Sequence, residues 1–247
     1  MQAITKKLVR NSGFMLLMAV LCAVGVKIAL TRTAANEQAA LTTVSHGAAR
    51  DVVFVLDAGH GGMDGGCSTA DGVPEKGINL NILLCLRDML ELSGYRVEVT
   101  RETDCSIHDK GVEGIANQKC SDMDNRLALL NKYDNAVCVS IHQNQFTDAK
   151  YSGAQMFYAP TNDESESLAQ MMQGQFRALL QPENNREIKS CGKELFLCYF
   201  CKNPMVMAEC GFLSNPEEAA LLCTEEYQHK VAFTIFSALQ RWLAGAA

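Results

Sequence analysis

Four side chains far apart along the chain, His60, Glu75, His142 and Glu209, have the types and settings for hydrolytic chemistry. The apolar residues 52–56 (VVFVL) run into Asp57 and a glycine-paved loop that carries His60. The apolar stretch AVCVSI, residues 136–141, ends on His142, and MVMA, residues 205–208, ends on Glu209. Two histidines and one carboxylate, with a position left open, form the ligand set of a catalytic zinc site. His60, Glu75 and His142 are assigned as the ligands. Glu209 is then free to act as general base on water whose pKa the metal lowers to about 7. Each residue has a plainer alternative. His60 could be a loop histidine bonded to backbone, Glu75 a charge that favours a helix amino terminus, and Glu209 a fourth ligand or a cation's partner. His46, His108 and His229 lie in polar or charged segments and are expected to be solvated.

The elements that must bring these residues together are those of an α/β domain. From residue 51 onward, strand-like and helix-like stretches alternate, which predicts a single three-layer domain around a mostly parallel sheet of about six strands, with helices on both faces. In such sheets ligands bind at the carboxyl ends of the strands, where His60, His142 and Glu209 all fall. Pro74 suits the start of a helix whose apolar positions Ile78, Ile82, Leu83, Leu86, Met89 and Leu90 recur at helical spacing, with Gly94 as its stop. Glu75 opens that helix on the same edge. Residues 102–121 are polar and read as a surface loop. Residues 122–132 predict a helix burying Leu127, Leu129 and Leu130, and residues 163–180 another. Residues 153–158, 195–200 and 205–208 predict further strands, and 216–222 and 225–243 the closing helices.

The amino terminus is set apart. Lys6, Lys7 and Arg10 precede an apolar run over residues 13–26, which Ile28 to Leu30 extend past Lys27. A positive flank followed by a short apolar core predicts an export signal or membrane anchor over residues 1–30. Thr33-Ala34-Ala35 offers a weak cleavage site. Residues 31–50, small and polar, predict a linker to the domain at 51–247. With 247 residues, 48% hydrophobic and net charge -6, the chain is an ordinary globular protein without a basic stripe for nucleic acid. Eleven cysteines would suggest disulfides in an exported protein, yet Cys85, Cys138, Cys198 and Cys223 sit in apolar runs and read as small core hydrophobes. Cys198-x-x-Cys201, read as extended, does not converge on a metal.

The ordered motifs DAGHGGMDGG, PEKGINL, SIHQN and AECGFLSNPEE resemble those of the zinc-dependent N-acetylmuramoyl-L-alanine amidases, which cut peptidoglycan. The likeness runs from residue 52 to the carboxyl terminus. It implies zinc held by His60, Glu75 and His142, with Glu209 as catalytic acid and base. It also implies cleavage of the amide between the lactyl group of N-acetylmuramic acid and L-alanine of the stem peptide. YSGAQMFY, FLSNPEEAALL and EEYQHKVA are similar to the germination-specific, sporulation type of the family. That subgroup implies removal of stem peptides in spore-cortex maturation, followed by a deacetylase and muramic-δ-lactam formation. The chain departs from the family in AECGF, where many relatives flank the glutamate with valine, and in the insertion at 102–121.

Supporting residues are assigned from chemistry alone. Asn144 is placed to hydrogen-bond glycan or peptide, Arg126 to meet a substrate carboxylate or else a surface ion pair, and Asp57 to orient His60 from behind. The expected partners are peptidoglycan, the membrane through the amino-terminal segment, and an auxiliary sporulation protein. The expected location is outside the cytoplasmic membrane, in the forespore envelope or cortex. The competing readings are a zinc carboxypeptidase or deacetylase acting on wall material, and a non-catalytic wall-binding regulator.

Overall fold

The computed structural model describes residues 51–245. The predicted export segment, cleavage site and linker all lie outside them. Among the described residues, no helix is long and apolar enough to cross a membrane.

The elements run β1 (Val53–Ala58), α1 (Glu75–Leu92), β2 (Arg96–Val99), α2 (Ile115–Leu130), β3 (Ala136–Asn144), β4 (Gln155–Tyr158), α3 (Glu164–Leu179), β5 (Lys189–Ser190), α4 (Phe196–Phe200), β6 (Met205–Phe212), α5 (Pro216–Leu222) and α6 (Glu225–Leu243). The six strands form one sheet in the order β2-β1-β3-β6-β4-β5. All neighbours are parallel except β4 and β6. This is the expected α/β class.

Strand alternation sorts side chains onto two faces. Phe54, Leu56, Val139, Ile141, Val206 and Ala208 face a core shared with α1, α3 and α6. Val53, Val55, Cys138, Met205 and Met207 face a second core, built with α2 and α4. By the same parity Asp57, Ser140, His142 and Glu209 lie on the α2/α4 face. The sheet and its alternation therefore gather polar residues from three strands at the carboxyl end of one face.

Several elements differ from what the sequence predicts. Residues 196–200 form a helical turn, not a strand, with Tyr199 N and Cys201 N bonded back to Leu195 O and Leu197 O. A short apolar run fits either state by periodicity alone. Within it Cys198 is buried but not a free core thiol: it is joined to Cys191 by a disulfide. Cys223 is exposed and Cys85 half-buried, so only Cys138 of the four is a plain core cysteine. The insertion at 102–121 is a loop only in its first part, because α2 begins at Ile115. The buried stripe of α2 is Asp122, Arg126 and Leu130, spaced four apart, while Leu127 and Leu129 are half-buried. Its polar half faces the buried carboxylate of Asp57, which a hydrophobic-periodicity reading could not anticipate.

Candidate metal and catalytic centre

β3 and β6 both continue past the residues expected to end them, so His142 and Glu209 stand within paired strands as direct neighbours in register. The ladder shifts between His142 and Asn144, a bulge at the point where the site opens. β1 ends at Ala58, and the chain then turns through His60, whose φ of 64° places a non-glycine residue in the left-handed region. Such strain persists where the surroundings impose it. Here they do so through two buried arginines. Arg101 donates to Ala58 O at 3.0 Å and Gly59 O at 3.0 Å, and Arg126 donates to Ala58 O at 2.8 Å and His60 O at 2.7 Å. From the 102–121 insertion, Asp104 accepts the Gly62 N–H at 2.8 Å and pairs with Lys76 at 2.7 Å.

The loop is glycine-rich for a steric reason. A Cβ on Gly59 would lie 2.2–2.6 Å from three ring atoms of His142, and one on Gly66 would lie 2.5 Å from Glu75 Oε2. The two imidazoles and the carboxylate pack where side chains of the loop would otherwise be.

Potential ligand atoms of His60, Glu75 and His142 lie within 4.8 Å of one another, the geometry of a group able to hold a metal ion. Glu75 is 2% exposed at the first turn of α1. Its Oε1 is 3.1 Å from His142 Nδ1 and its Oε2 is 3.3 Å from His60 Nε2. Oε1 also accepts the Gln143 N–H at 2.9 Å and Asn79 Nδ2 at 3.0 Å, and Oε2 accepts the Cys67 N–H at 3.0 Å. Burial alone would raise this carboxyl's pKa, but the two histidines outweigh it and hold the group far below the ordinary carboxylate range. Burial likewise opposes protonation of His142, and Glu75 overcomes it, lifting the imidazole to about 9. Once a metal displaces that proton, two imidazoles and one ionised, fully oriented carboxylate are a donor set that fits zinc.

Glu209 answers to different forces. It lies on the same face, beside His142, with Oε2 enclosed and without a hydrogen-bond partner. Burial raises its pKa to about 7, and His142 only partly offsets the effect. A carboxyl poised near neutrality with a free oxygen is suited to taking and returning a proton.

The remaining assignments fall out unevenly. Asp57 is buried and does not touch the His60 side chain. It accepts Ser140 Oγ at 2.6 Å, Thr100 Oγ1 at 2.9 Å and Arg126 NH1 at 2.7 Å, and reaches the loop only through that arginine. Arg126 is 1% exposed and so is no surface ion-pair residue, and it stands in the wall of the cavity that holds the histidines. It bridges Asp57, Asp122 and the loop carbonyls. Asn144 is half-buried at the end of β3, outside the cavity that holds the histidines. His108 is half-buried, with Nδ1 2.9 Å from Ser106 Oγ, whereas His229 is exposed. Two residues escaped the sequence reading. Asp64 lies 3.0 Å from His60 Nδ1, and its spacing of four from His60 was the available signal. Arg101 lies two residues beyond β2 at the same edge of the sheet, where its role depends on carbonyls 42 and 43 residues away and leaves no local signal.

The centre opens into a cavity of about 270 Å³. His60, His142 and Glu209 line one side, and Met123, Leu195, Phe196 and Leu197 the other, with Glu194 also lining it. The Cys191–Cys198 disulfide closes the loop that carries Glu194 to Leu197.

Comparison with known proteins places this architecture. The profile of the N-acetylmuramoyl-L-alanine amidase family (Amidase_3) matches residues 54–241. The germination-specific N-acetylmuramoyl-L-alanine amidase of Bacillus subtilis is 35% identical over 190 residues, covering 77% of this chain and 79% of that protein. The CwlD amidase of Clostridioides difficile, solved in complex with the GerS lipoprotein, superposes with a TM-score of 0.75 at 37% identity, covering 78% of this chain and 98% of that one. An N-acetylmuramoyl-L-alanine amidase from Clostridium difficile 630 gives 0.69 at 26% identity, over 80% and 100% of the two chains. With the profile spanning the whole α/β domain and its metal-ligand cluster, the chain belongs to the N-acetylmuramoyl-L-alanine amidase family, enzymes that hydrolyse the bond between muramic acid and the stem peptide.

Proposed function

We propose that His60, Glu75 and His142 hold a zinc ion and that Glu209 is the general base and acid of the amidase reaction. The supporting observation is the contrast between two carboxylates in one centre. Glu75 is ionised, enclosed and bonded on both oxygens, as a ligand must be. Glu209 is raised to about 7 with an unpartnered oxygen, as a proton carrier must be. Zinc, when bound, polarises the scissile carbonyl and acidifies water for attack on it. Glu75 and the two imidazoles supply the donors, with Asp64 fixing the His60 tautomer. Glu209 takes the proton of the attacking water and delivers it to the leaving amine of L-alanine, a role worth roughly 10²- to 10⁴-fold. Asp57 and Arg126 keep the loop in its left-handed turn, so that His60 faces Glu75.

The relatives support a biological setting for this reaction. Likeness to the germination-specific amidase supports action outside the cytoplasmic membrane on spore-cortex peptidoglycan. The GerS complex of the C. difficile relative supports an auxiliary protein for this chain too. The amino-terminal segment serves as signal or anchor, joined by a linker to the catalytic domain.

Mass spectrometry of muropeptides incubated with the protein tests the reaction. Free stem peptide beginning at L-alanine, formed only without chelator, is the expected product. Acetate or a released carboxyl-terminal amino acid would identify a deacetylase or carboxypeptidase instead. Glu209→Ala is expected to keep zinc and lose hydrolysis, and His60→Ala to lose both; full activity in Glu209→Ala would refute the base assignment.

A further inference from the structure

The carboxyl ends of β3 and β6 and the amino end of the antiparallel β4 meet at one rim of the sheet, because Gln155 pairs with Glu209. The segment joining β3 to β4 runs along that rim. It holds out two aromatic rings, Phe146 (52% exposed) and Tyr151 (39% exposed), packed edge to face with centroids 4.9 Å apart. Large exposed aromatics carry a solvation cost and mark recognition surfaces when paired rather than scattered.

The segment is held in place by its own bonds. Ser214 Oγ accepts the Phe146 N–H at 3.0 Å, and Asn215 Nδ2 donates to Ala149 O at 3.0 Å. Asp148 accepts the Lys150 N–H at 3.1 Å and pairs with Lys150 Nζ at 2.7 Å. Arg186 donates to Ser152 O at 2.8 Å and lies 5.9 Å from the Tyr151 ring. A platform fixed before binding loses little freedom when a ligand arrives.

A second, separate feature adjoins it. A groove of about 310 Å³, lined among others by Ser152, Glu183, Asn185, Asn215 and Glu217, starts at the residue after Tyr151. Beside Pro182 and Leu221 it presents hydroxyl, amide and carboxylate groups, acceptors and donors suited to sugar hydroxyls and acetamides. Rings that stack on apolar sugar faces, beside a polar groove that reads hydroxyls, are the chemistry of a saccharide site.

We propose that Phe146 and Tyr151, with this groove, form a saccharide subsite that holds the glycan strand flanking the muramoyl unit being cleaved. Sugar rings stack on the aromatic pair, and Asn185, Glu183 and Ser152 meet their hydroxyls. The segment that carries the rings begins directly after β3, which ends two residues beyond His142. The subsite rests on the amidase activity, since it serves the polymer on which that activity works.

The test is a titration of the full chain with a peptide-free oligosaccharide of alternating N-acetylglucosamine and N-acetylmuramic acid. The wild type is expected to bind it, and the double variant Phe146→Ala, Tyr151→Ala to raise Kd roughly tenfold. Phe146→Tyr and Tyr151→Phe keep the stacking faces and are expected to bind as the wild type does, which separates stacking from misfolding. On polymeric peptidoglycan the double alanine variant is expected to raise KM by a similar factor, with kcat within about twofold. Equal glycan affinity in wild type and double variant would overturn the subsite, as would binding of isolated stem peptide but not glycan by the wild type. Failure of the wild type to release stem peptide from the polymer would instead overturn the amidase reading, and the glycan titration does not depend on that result.

Discussion

His60 Nδ1 stands 3.0 Å from Asp64 Oδ2, four residues on, while its Nε2 points to Glu75 at 3.3 Å. A carboxylate on the far nitrogen of a ligand histidine fixes its tautomer and ring orientation. Asp64→Ala is therefore expected to weaken zinc binding about 10- to 100-fold without unfolding the domain. Competition with a chelator of known affinity measures this, and unaltered zinc affinity would remove Asp64 from the site.

Gly59 leaves room for the imidazole of His142, which a Cβ would approach to 2.2 Å. Gly59→Ala must displace that ring or the loop. Misplacing a reacting group by about 1 Å can cost on the order of 10²-fold, so activity is expected to fall by at least that factor. A kinetic assay beside a circular dichroism spectrum distinguishes a shifted ligand from a lost fold. Activity near wild type would mean that His142 need not occupy this position.

Glu209 carries a pKa of about 7, above the ordinary carboxyl value of 4.5, because burial disfavours its charge. The group thus favours folding fully below about pH 4.5, and that contribution is lost as pH rises through 7. Metal-free Glu209→Gln is accordingly expected to be more stable than the metal-free wild type at pH 8, by on the order of 1 kcal/mol, although hydrolysis is abolished. A bound cation pulls the carboxyl pKa down, so the acid limb of kcat/KM in the loaded enzyme should fall below pH 7. Denaturant titrations at pH 5 and pH 8 with a pH–rate profile check both signs. A variant less stable at pH 8 would contradict the burial account.

Arg126 and Asp57 form a buried ion pair at 2.7 Å, with Asp122 on the other side of the guanidinium. Burial would raise the Asp57 carboxyl, but Arg126, His142 and the hydroxyls of Ser140 and Thr100 together outweigh it and keep the group ionised. Arg126→Ala strands that charge and frees the carbonyls of Ala58 and His60, with an expected loss of roughly 3–5 kcal/mol. Arg126→Lys keeps the charge but not the planar fork, so it should recover only part of the stability. Thermal melts rank the two variants against the wild type; a lysine variant as stable as the wild type would show that charge alone matters.

The sequence alone determined the layered α/β class and the longer helices. Apolar spacing in α1 and α6 is set by the need to bury one face, and that need is written in residue order. It also singled out His60, His142 and Glu209, because a polar residue closing an apolar run is visible without coordinates. The ligand assignment of Glu75 is strengthened by the resemblance, since a glutamate at a helix start also has an ordinary electrostatic reason to be there.

Tertiary structure decided what depended on partners distant in sequence. Residues 195–200 became a turn of helix because the disulfide and the cavity wall fix them, which a six-residue apolar run does not reveal. Arg126 proved to be buried, because the carboxylate that pays for its desolvation is 69 residues away in β1. Asp57 reaches His60 only through Arg126 for the same reason, since it bonds that guanidinium and not the imidazole. One chain order encodes periodicity and local spacing; charge pairing across the sheet exists only once β1, β3 and α2 are packed together.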